Sequence, residues 1–193
     1  MRLYDAKKLC PNIIQRPSRP ERYTEVSAVI MRSLNKITPD IEIFSVDEAF
    51  LDVTHCQRLH GSPFEIAKLV KKTIFDCSGL MCSIGVSGDK TTAKYAAKLQ
   101  KPNGLTVIHP DRSKAALEKI PVTELCGIAK GIGNFLANHQ VYVCGDMIKL
   151  PVRVLKNRFG PLGERIWFMT QGLDPPQLNR ILKFQNLWDM VKF

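Results

Sequence analysis

Apolar positions in the N-terminal part of the chain alternate between helical spacing and short continuous runs. Side chains that recur every three or four positions predict helices over Leu3 to Leu9, over Pro20 to about Leu34 and from Ser62-Pro63 onward. Runs rich in Ile, Val and Phe predict strands at Ile41 to Val46, Ala49 to Val53, Leu80 to Val86 and Gly104 to Ile108. The order of these elements predicts an α+β fold with an antiparallel hairpin at its centre.

The pattern changes from Pro121 onward to short helical segments with frequent glycines, after a helix that is predicted to end near Ile120. We therefore expect a domain boundary near residues 110 to 120. A helical pair is predicted over Pro151 to Gln171. The final stretch, from about Asn179 to Phe193, is amphipathic and carries no recognisable motif.

Composition narrows the class of protein. With 193 residues and 45% hydrophobic residues the chain can bury a core, and its net charge of +10 favours a polyanionic partner such as nucleic acid. The six cysteines form no Cys-x-x-Cys pair and are predicted to be free thiols in a reducing cytosol. Neither a signal peptide nor an apolar run of membrane-spanning length is present, which predicts a cytoplasmic protein without a membrane partner.

An acidic pair separates the two strands of the predicted hairpin. Asp47 and Glu48 interrupt the sequence IEIFSVDEAFLDVT, and Asp52 follows within the second strand. Because a buried carboxylate needs a cation or hydrogen bonds to compensate it, the pair indicates a divalent-metal site. The alternative is an ordinary acidic hairpin turn.

Four lysines follow the third strand at intervals of four, four and three residues: Lys90, Lys94, Lys98 and Lys101. On a helix capped by Asp89 and running to about Gln100, these intervals keep the side chains within roughly 80° of arc. Such a stripe suits a phosphate backbone or a triphosphate. The alternative is a solvated helix face.

A glycine-containing turn lies in the second part of the chain. Leu125 to Val141 reads as an apolar entry, a turn, an amphipathic helix and an apolar exit, which suggests a helix-hairpin-helix. Amides at the helix N-terminus would bind a nucleic-acid phosphate, with help from Lys130. The alternative is a tight turn between packed helices.

Three stretches taken together resemble the Y-family, translesion DNA polymerases of the bacterial DNA polymerase IV and V type, with a UmuC-like domain. They are SVDEAFLDVT at 45 to 54, SIGVSGDKTTAKYAAKLQKPNGLTVI at 83 to 108 and ELCGIAKGIGNFL at 124 to 136. The resemblance implies a partial polymerase palm, with an antiparallel sheet and packed helices, followed by a small all-helical thumb. It divides the chain into partial fingers and palm (1–115), thumb (116–176) and an unmatched tail (177–193).

The resemblance implies nucleotidyl transfer assisted by two Mg²⁺ ions, with Asp47 and Glu48 as catalytic metal ligands. Lys101 matches the lysine that contacts the incoming triphosphate, and Asp52 is expected to support the hairpin. The positions implied to contact DNA are Lys90, Lys94, Lys98, Gly127, Lys130 and Gly131. The implied partners are primer-template DNA, deoxynucleoside triphosphates and a sliding clamp.

The family pattern also sets expectations about what the chain lacks. The family's first palm strand, with a third metal-binding acid, and the finger residues that grip the triphosphate are not found before Asp47, and a little-finger domain would follow the thumb. Two acids would then do the work of three. Ala129 and Gln140 stand where the hairpin pattern has glycine, so a phosphate would approach less closely.

Three hypotheses follow. The chain is a translesion polymerase fragment that is inactive alone, or it is a noncatalytic module that binds damaged or duplex DNA. The third is a product that does not fold stably, because loss of the first strand exposes an edge of the palm sheet.

Overall fold

A computed structural model of the chain describes residues 1–174 and 188–192. Its helices are α1 (Leu3–Leu9), α2 (Pro20–Leu34), α3 (Gln57–His60), α4 (Pro63–Ser78), α5 (Lys90–Leu99), α6 (Ser113–Leu117), α7 (Lys130–Asn138), α8 (Val152–Phe159) and α9 (Pro161–Thr170). Its strands are β1 (Ile41–Ser45), β2 (Glu48–Asp52), β3 (Ser83–Ser87), β4 (Leu105–Val107) and β5 (Trp188–Lys192). The mixture of helix and sheet confirms the predicted α+β class.

The five strands form one sheet in the order β1-β2-β5-β3-β4. The β1/β2 hairpin is antiparallel, as expected, but β3 and β4 are parallel. The expectation of a purely antiparallel sheet was therefore wrong. The physical reason is that α5 connects β3 to β4 as a crossover, which brings the chain back to start the next strand at the same end of the sheet.

Strand β5 comes from the C-terminal stretch and lies in the middle of the sheet, antiparallel to both β2 and β3. This stretch carries no recognisable motif, and residues 175–187, together with residue 193, lie outside the described residues. Because β5 pairs on both sides, the facing edges of β2 and β3 carry ladder hydrogen bonds. The exposed palm edge assumed in the third hypothesis is therefore absent at this point of the sheet.

Helices α2 and α4 cover one face of the sheet. Alternate strand residues point into this core, including Leu51, Ile84 and Val191, and they pack against helix residues such as Ile30 and Ile66. The burial of these side chains supplies most of the stabilisation of the unit.

The ends of α4 follow directly from its sequence. The Ser62 hydroxyl accepts a hydrogen bond from the Glu65 amide, and the Glu65 carboxylate accepts one from the Ser62 amide. This capping box starts the helix, and Gly79 ends it in the left-handed conformation with φ +71°.

Helix α5 covers the opposite face of the sheet. It approaches closely because Gly85 of β3 has no side chain: a Cβ there would lie 2.1 Å from the Ala93 carbonyl oxygen. Phe50, Ala93 and Ala97 form a small core beneath the helix.

The second unit is helical and has its own core, which includes Leu117, Leu136, Met147, Leu155 and Ile166. The helix predicted to end near Ile120 is present but shorter: a 3₁₀ turn at Pro110–Arg112 leads into α6, which ends at Leu117. Pro110 stands at the first position of the 3₁₀ turn, where its missing amide hydrogen costs no hydrogen bond.

All six cysteines are free thiols, as predicted. Burial raises the pKa of Cys82 to about 11 and that of Cys144 to about 12, so these two thiols serve packing rather than nucleophilic chemistry. Within residues 1–174 and 188–192, no helix is long and apolar enough to cross a membrane.

Candidate functional site

The acidic pair lies where the β1/β2 hairpin reverses. Asp47 is in the turn and is partly buried, and its Oδ1 accepts a hydrogen bond of 2.7 Å from the Ser45 hydroxyl. Glu48 is the first residue of β2 and is buried. Asp52, at the far end of β2, accepts a hydrogen bond from the Thr54 amide at 2.9 Å, which agrees with the expected supporting role.

Lys94 of α5 lies against Glu48. Its Nζ is 2.9 Å from Glu48 Oε2, and the two side chains are 16% and 12% exposed. The same ammonium lies 3.7 Å from the centroid of the Phe44 ring, which adds a cation–π contact. Lys94 therefore neutralises Glu48, one of the two carboxylates that the sequence predicts to be metal ligands.

Lys90, one turn earlier in α5, pairs in the same way with Glu42 of β1. Lys90 is buried, whereas Glu42 is exposed. Neither Lys90 nor Lys94 lies on a solvated helix face, so that alternative was wrong for both. Their predicted contact with DNA phosphates stays a prediction, which requires each lysine to leave its acidic partner.

The remaining two lysines lie toward the C-terminal end of α5. Lys98 is exposed and donates a hydrogen bond to the backbone carbonyl of Glu124 at 3.2 Å, so it joins the sheet unit to the helical unit. Lys101 is exposed and lies in the turn after α5, because the helix ends at Leu99. The expectation that all four lysines share one helical face was therefore wrong for Lys101.

Strand register shows that the turn carrying Lys101 lies at the same end of the sheet as the acidic pair. Glu48 and Ser83 both pair with Lys192, on opposite sides of β5. Two strand spacings place their backbones about 10 Å apart. The Gly104 amide donates to the Ser83 hydroxyl at 3.3 Å, so the end of the turn is tied to this edge. Lys101 is thus within reach of a ligand that also contacts Glu48.

The glycine turn of the helical unit adopts the conformation that glycine favours. Gly127 has φ +88°, and α7 begins at Lys130 with Ala129 as its N-cap and no side-chain cap. Lys130 and Gly131 are both exposed. The element before the turn is a 3₁₀ turn over Val122–Glu124, so the helix-hairpin-helix stays a prediction.

Gln140 closes the same segment with φ +57°, a left-handed conformation in a residue that has a side chain. This costs roughly 1 kcal/mol that glycine would avoid. The positive φ gives a physical reason for the glycine expected at this position.

A cleft lies between the sheet unit and the helical unit. Phe44, Phe50 and Lys98 line it on one side, and Leu125 and Arg165 line it on the other. Nothing local in the sequence links Arg165 to this cleft, because most of the residues that line the cleft are distant from it in the chain. The cleft carries an excess of positive charge next to aromatic rings.

A second pair of carboxylates sits at the N-terminus of α5. Asp89 is buried and caps the helix by accepting from the Thr92 amide at 2.8 Å, while Asp174 accepts from the Lys90 amide at 3.2 Å. Burial, and then repulsion by Asp89, raise the pKa of Asp174 to about 6. Burial likewise raises the pKa of Asp89. This pair joins the end of the helical unit to α5.

The described residues do not fit a two-metal site as they stand. Lys94 already holds Glu48, Ser45 donates to Asp47, and in residues 1–174 and 188–192 no group of three or more His, Cys, Asp or Glu side chains is placed to bind a metal. Mg²⁺ in such sites is held by one or two carboxylates together with substrate phosphates and water, and here Glu48 is paired with the Lys94 ammonium instead. No catalytic step is therefore routed through a metal ion.

Solved structures share the fold of this chain. A Y-family DNA polymerase chimera, Dbh-Dpo4(243-245)-Dbh, matches with a TM-score of 0.77 and 28% identity, covering 96% of this chain and 52% of that chain. DinB from Sulfolobus solfataricus matches with a TM-score of 0.73 and 29% identity, covering 88% and 50%. The fold and the sequence identity to these structures thus place the chain in the class of the Y-family, translesion DNA polymerases.

The chain belongs to the impB/mucB/samB family, whose model matches residues 1–98. DNA polymerase IV of Moorella thermoacetica is 38% identical over 174 residues, which are 90% of this chain and 44% of the relative. DNA polymerase IV of Mannheimia succiniciproducens is 39% identical over 169 residues, which are 88% and 48%. The chain spans about half the length of these curated relatives.

Proposed function

We propose that this chain forms palm and thumb portions of a translesion DNA polymerase, which synthesises DNA on a template past lesions. The observation that carries the proposal is that Glu48 of the acidic turn and Ser83, to which the end of the Lys101 turn is tied through Gly104, lie at one end of the sheet, with their backbones about 10 Å apart across a single strand. Membership of a family of DNA polymerases supports it. A triphosphate requires positive charge to bind it and charged groups near the phosphate that reacts, and the Lys101 turn and the acidic pair would supply these.

The proposed roles follow from exposure and charge. Lys101 contacts the triphosphate, and Lys98 with the Gly127 turn contacts the DNA backbone. Asp47 and Glu48 contribute two carboxylates to the reaction centre, for which the resemblance implies Mg²⁺. The proposed partners are primer-template DNA and deoxynucleoside triphosphates, and a sliding clamp would bind through the family's C-terminal region rather than through the palm or thumb.

We expect the 193-residue chain to incorporate little nucleotide by itself, because Lys94 forms an ion pair with Glu48 and the described residues do not complete a metal site. The test is primer extension with Mg²⁺ and all four deoxynucleotides. Robust incorporation that is abolished by Asp47→Ala would overturn the expectation of inactivity and support the polymerase assignment. Incorporation that survives Asp47→Ala would overturn the assigned role of the acidic pair.

A second candidate function, duplex-DNA binding without turnover, is favoured by the net charge of +10 and by the exposed basic side chains of Lys98, Lys101 and Arg165. It predicts binding that weakens steeply between about 50 and 200 mM salt and has little sequence preference. Fluorescence anisotropy with two unrelated duplexes measures both properties. Binding that is independent of salt would count against this function, and nucleotide turnover separates it from the first.

A further inference from the structure

Lys71 of α4 makes an unusual set of contacts for a helix-surface lysine. Its Nζ lies 2.6 Å from Asn103 Oδ1, 3.0 Å from the Asn103 carbonyl oxygen and 2.5 Å from the Cys82 carbonyl oxygen. The Gly104 carbonyl oxygen is 3.3 Å away. Lys71 is half-buried, whereas a lysine on a helix surface is ordinarily solvated. Its neighbour Lys72 does point into solvent, where it pairs with Asp76.

These acceptors belong to the turn that carries Lys101. Asn103 has φ +62°, a left-handed conformation that is costly for a residue with a side chain. Gly104 is packed so closely that a Cβ would lie 2.1 Å from the Gln100 carbonyl oxygen. The carbonyl oxygens of Asn103 and Gly104 lie close together in this turn, and the Lys71 ammonium donates hydrogen bonds to both.

Lys71 also fixes where the turn lies. Cys82 immediately precedes β3, at the end of the sheet that faces the acidic pair. By donating to both Cys82 and Asn103, Lys71 ties the turn to the start of this strand. The backbone two residues before Asn103 is thereby held, while the side chain of Lys101 stays exposed to solvent.

We propose that Lys71 is a positioning residue for Lys101: it holds the 101–104 turn against the start of β3 and so sets where the Lys101 ammonium meets a triphosphate. The proposal rests on the proposed function for the role of Lys101. Lys71 itself touches no substrate in this scheme and acts through the turn.

The test compares variants of the 193-residue chain. Lys71→Met removes the charge and keeps the chain length, Lys71→Arg keeps a donor, and Lys72→Met is the matched control on the same helix. Asn103→Gly approaches the contact from the other side, because glycine tolerates the positive φ and lacks the Oδ1 acceptor. It keeps the proposal falsifiable if Lys71→Met fails to fold.

The first measurement is nucleotide binding to the chain with primer-template DNA, in Ca²⁺ to prevent turnover. Losing a well-placed charged contact should raise the nucleotide Kd about tenfold in Lys71→Met, while the duplex Kd changes less than about twofold. Lys71→Arg and Lys72→Met should stay near wild type. The double variant Lys71→Met/Lys101→Met should be no worse than Lys101→Met alone, because both changes remove one contact.

The second measurement is amide hydrogen exchange at Gly104, which should accelerate in Lys71→Met and in Asn103→Gly but not in Lys72→Met. Unchanged exchange, or additive losses in the double variant, would overturn the positioning role. If the wild-type chain binds no nucleotide, the proposed triphosphate role of Lys101 fails, and Lys71 then positions nothing. Accelerated exchange at Gly104 in that case would show that Lys71 holds the turn even though the turn binds no triphosphate. Failure of the proposed function can thus be distinguished from failure of the positioning role.

Discussion

Replacing Lys94 with methionine tests whether the Glu48–Lys94 pair is an internal neutralisation of the acidic site. The substitution keeps the length of the side chain and removes the ammonium, which leaves Glu48 buried without this cation. Two unit charges 2.9 Å apart attract by about 6 kcal/mol at an effective dielectric constant of 20. Desolvation offsets much of this in forming the pair, but removing one partner of a buried pair costs about 3–5 kcal/mol.

Glu48 has further interactions, which lower the expected cost. We therefore expect Lys94→Met to lower the free energy of unfolding by roughly 2–4 kcal/mol. Urea denaturation at neutral pH measures it. The matched control is Lys72→Met, which breaks a pair with Asp76 whose side chains are 72% and 56% exposed and should cost less than about 1 kcal/mol.

A double variant isolates the cause. Glu48→Gln removes the charge that Lys94→Met leaves behind, so the double variant should be more stable than Lys94→Met alone. The reasoning fails if Lys94→Met is no more destabilised than Lys72→Met, or if adding Glu48→Gln makes the protein less stable still. Either result would mean that the Glu48 carboxylate is compensated by something other than Lys94.

Two further stability predictions follow. Gly85→Ala should lower the free energy of unfolding, measured by urea denaturation, by about 3 kcal/mol or more, because the new Cβ would lie 2.1 Å from the Ala93 carbonyl oxygen. The control Gly131→Ala adds a Cβ in open space on a helix and should be neutral or stabilising. Equal effects of the two substitutions would contradict the close packing of α5. Asp174→Asn should stabilise the protein at pH 8 by roughly 1–3 kcal/mol, because the ionised form is penalised by burial and by Asp89 and the pKa is raised to about 6. The native state holds the Asp174 proton more tightly than the unfolded state, so the free energy of unfolding of the wild type falls as pH rises from about 4 through 6. The advantage of the variant should therefore disappear near pH 4. A difference in stability that does not change with pH would contradict the raised pKa.

Local pattern was sufficient for much of the fold. The hairpin, the helix start at Ser62-Pro63 and the Asp89 cap of α5 depend on neighbours within a few residues, and the structure has them where the sequence predicts them. Strand β5 depends instead on hydrogen bonds to β2 and β3, which no local signal announces. Its amphipathic sequence was equally compatible with several structures.

The site shows the same division. The acidic pair and the lysines of α5 could be recognised from spacing, but their partners could not, because Glu42 and Glu48 are more than 40 residues from Lys90 and Lys94 in the chain. A period of two offers one signal in retrospect: Glu42 and Phe44 alternate along β1 and both lie toward α5. Lys71 gave no signal at all, since its acceptors are three backbone carbonyls and the Asn103 side chain, all of which belong to segments that are distant in the chain.

Helix α5 connects every part of the candidate site. Lys94 holds the acidic turn, Lys98 contacts the helical unit through Glu124, and the turn with Lys101 follows the helix directly. A helix of ten residues is about 15 Å long and moves as one body, so its contacts with the acids, the helical unit and the turn cannot change independently. Gly85 allows α5 to lie close to the sheet, and this distance determines where Lys94, Lys98 and the Lys101 turn lie.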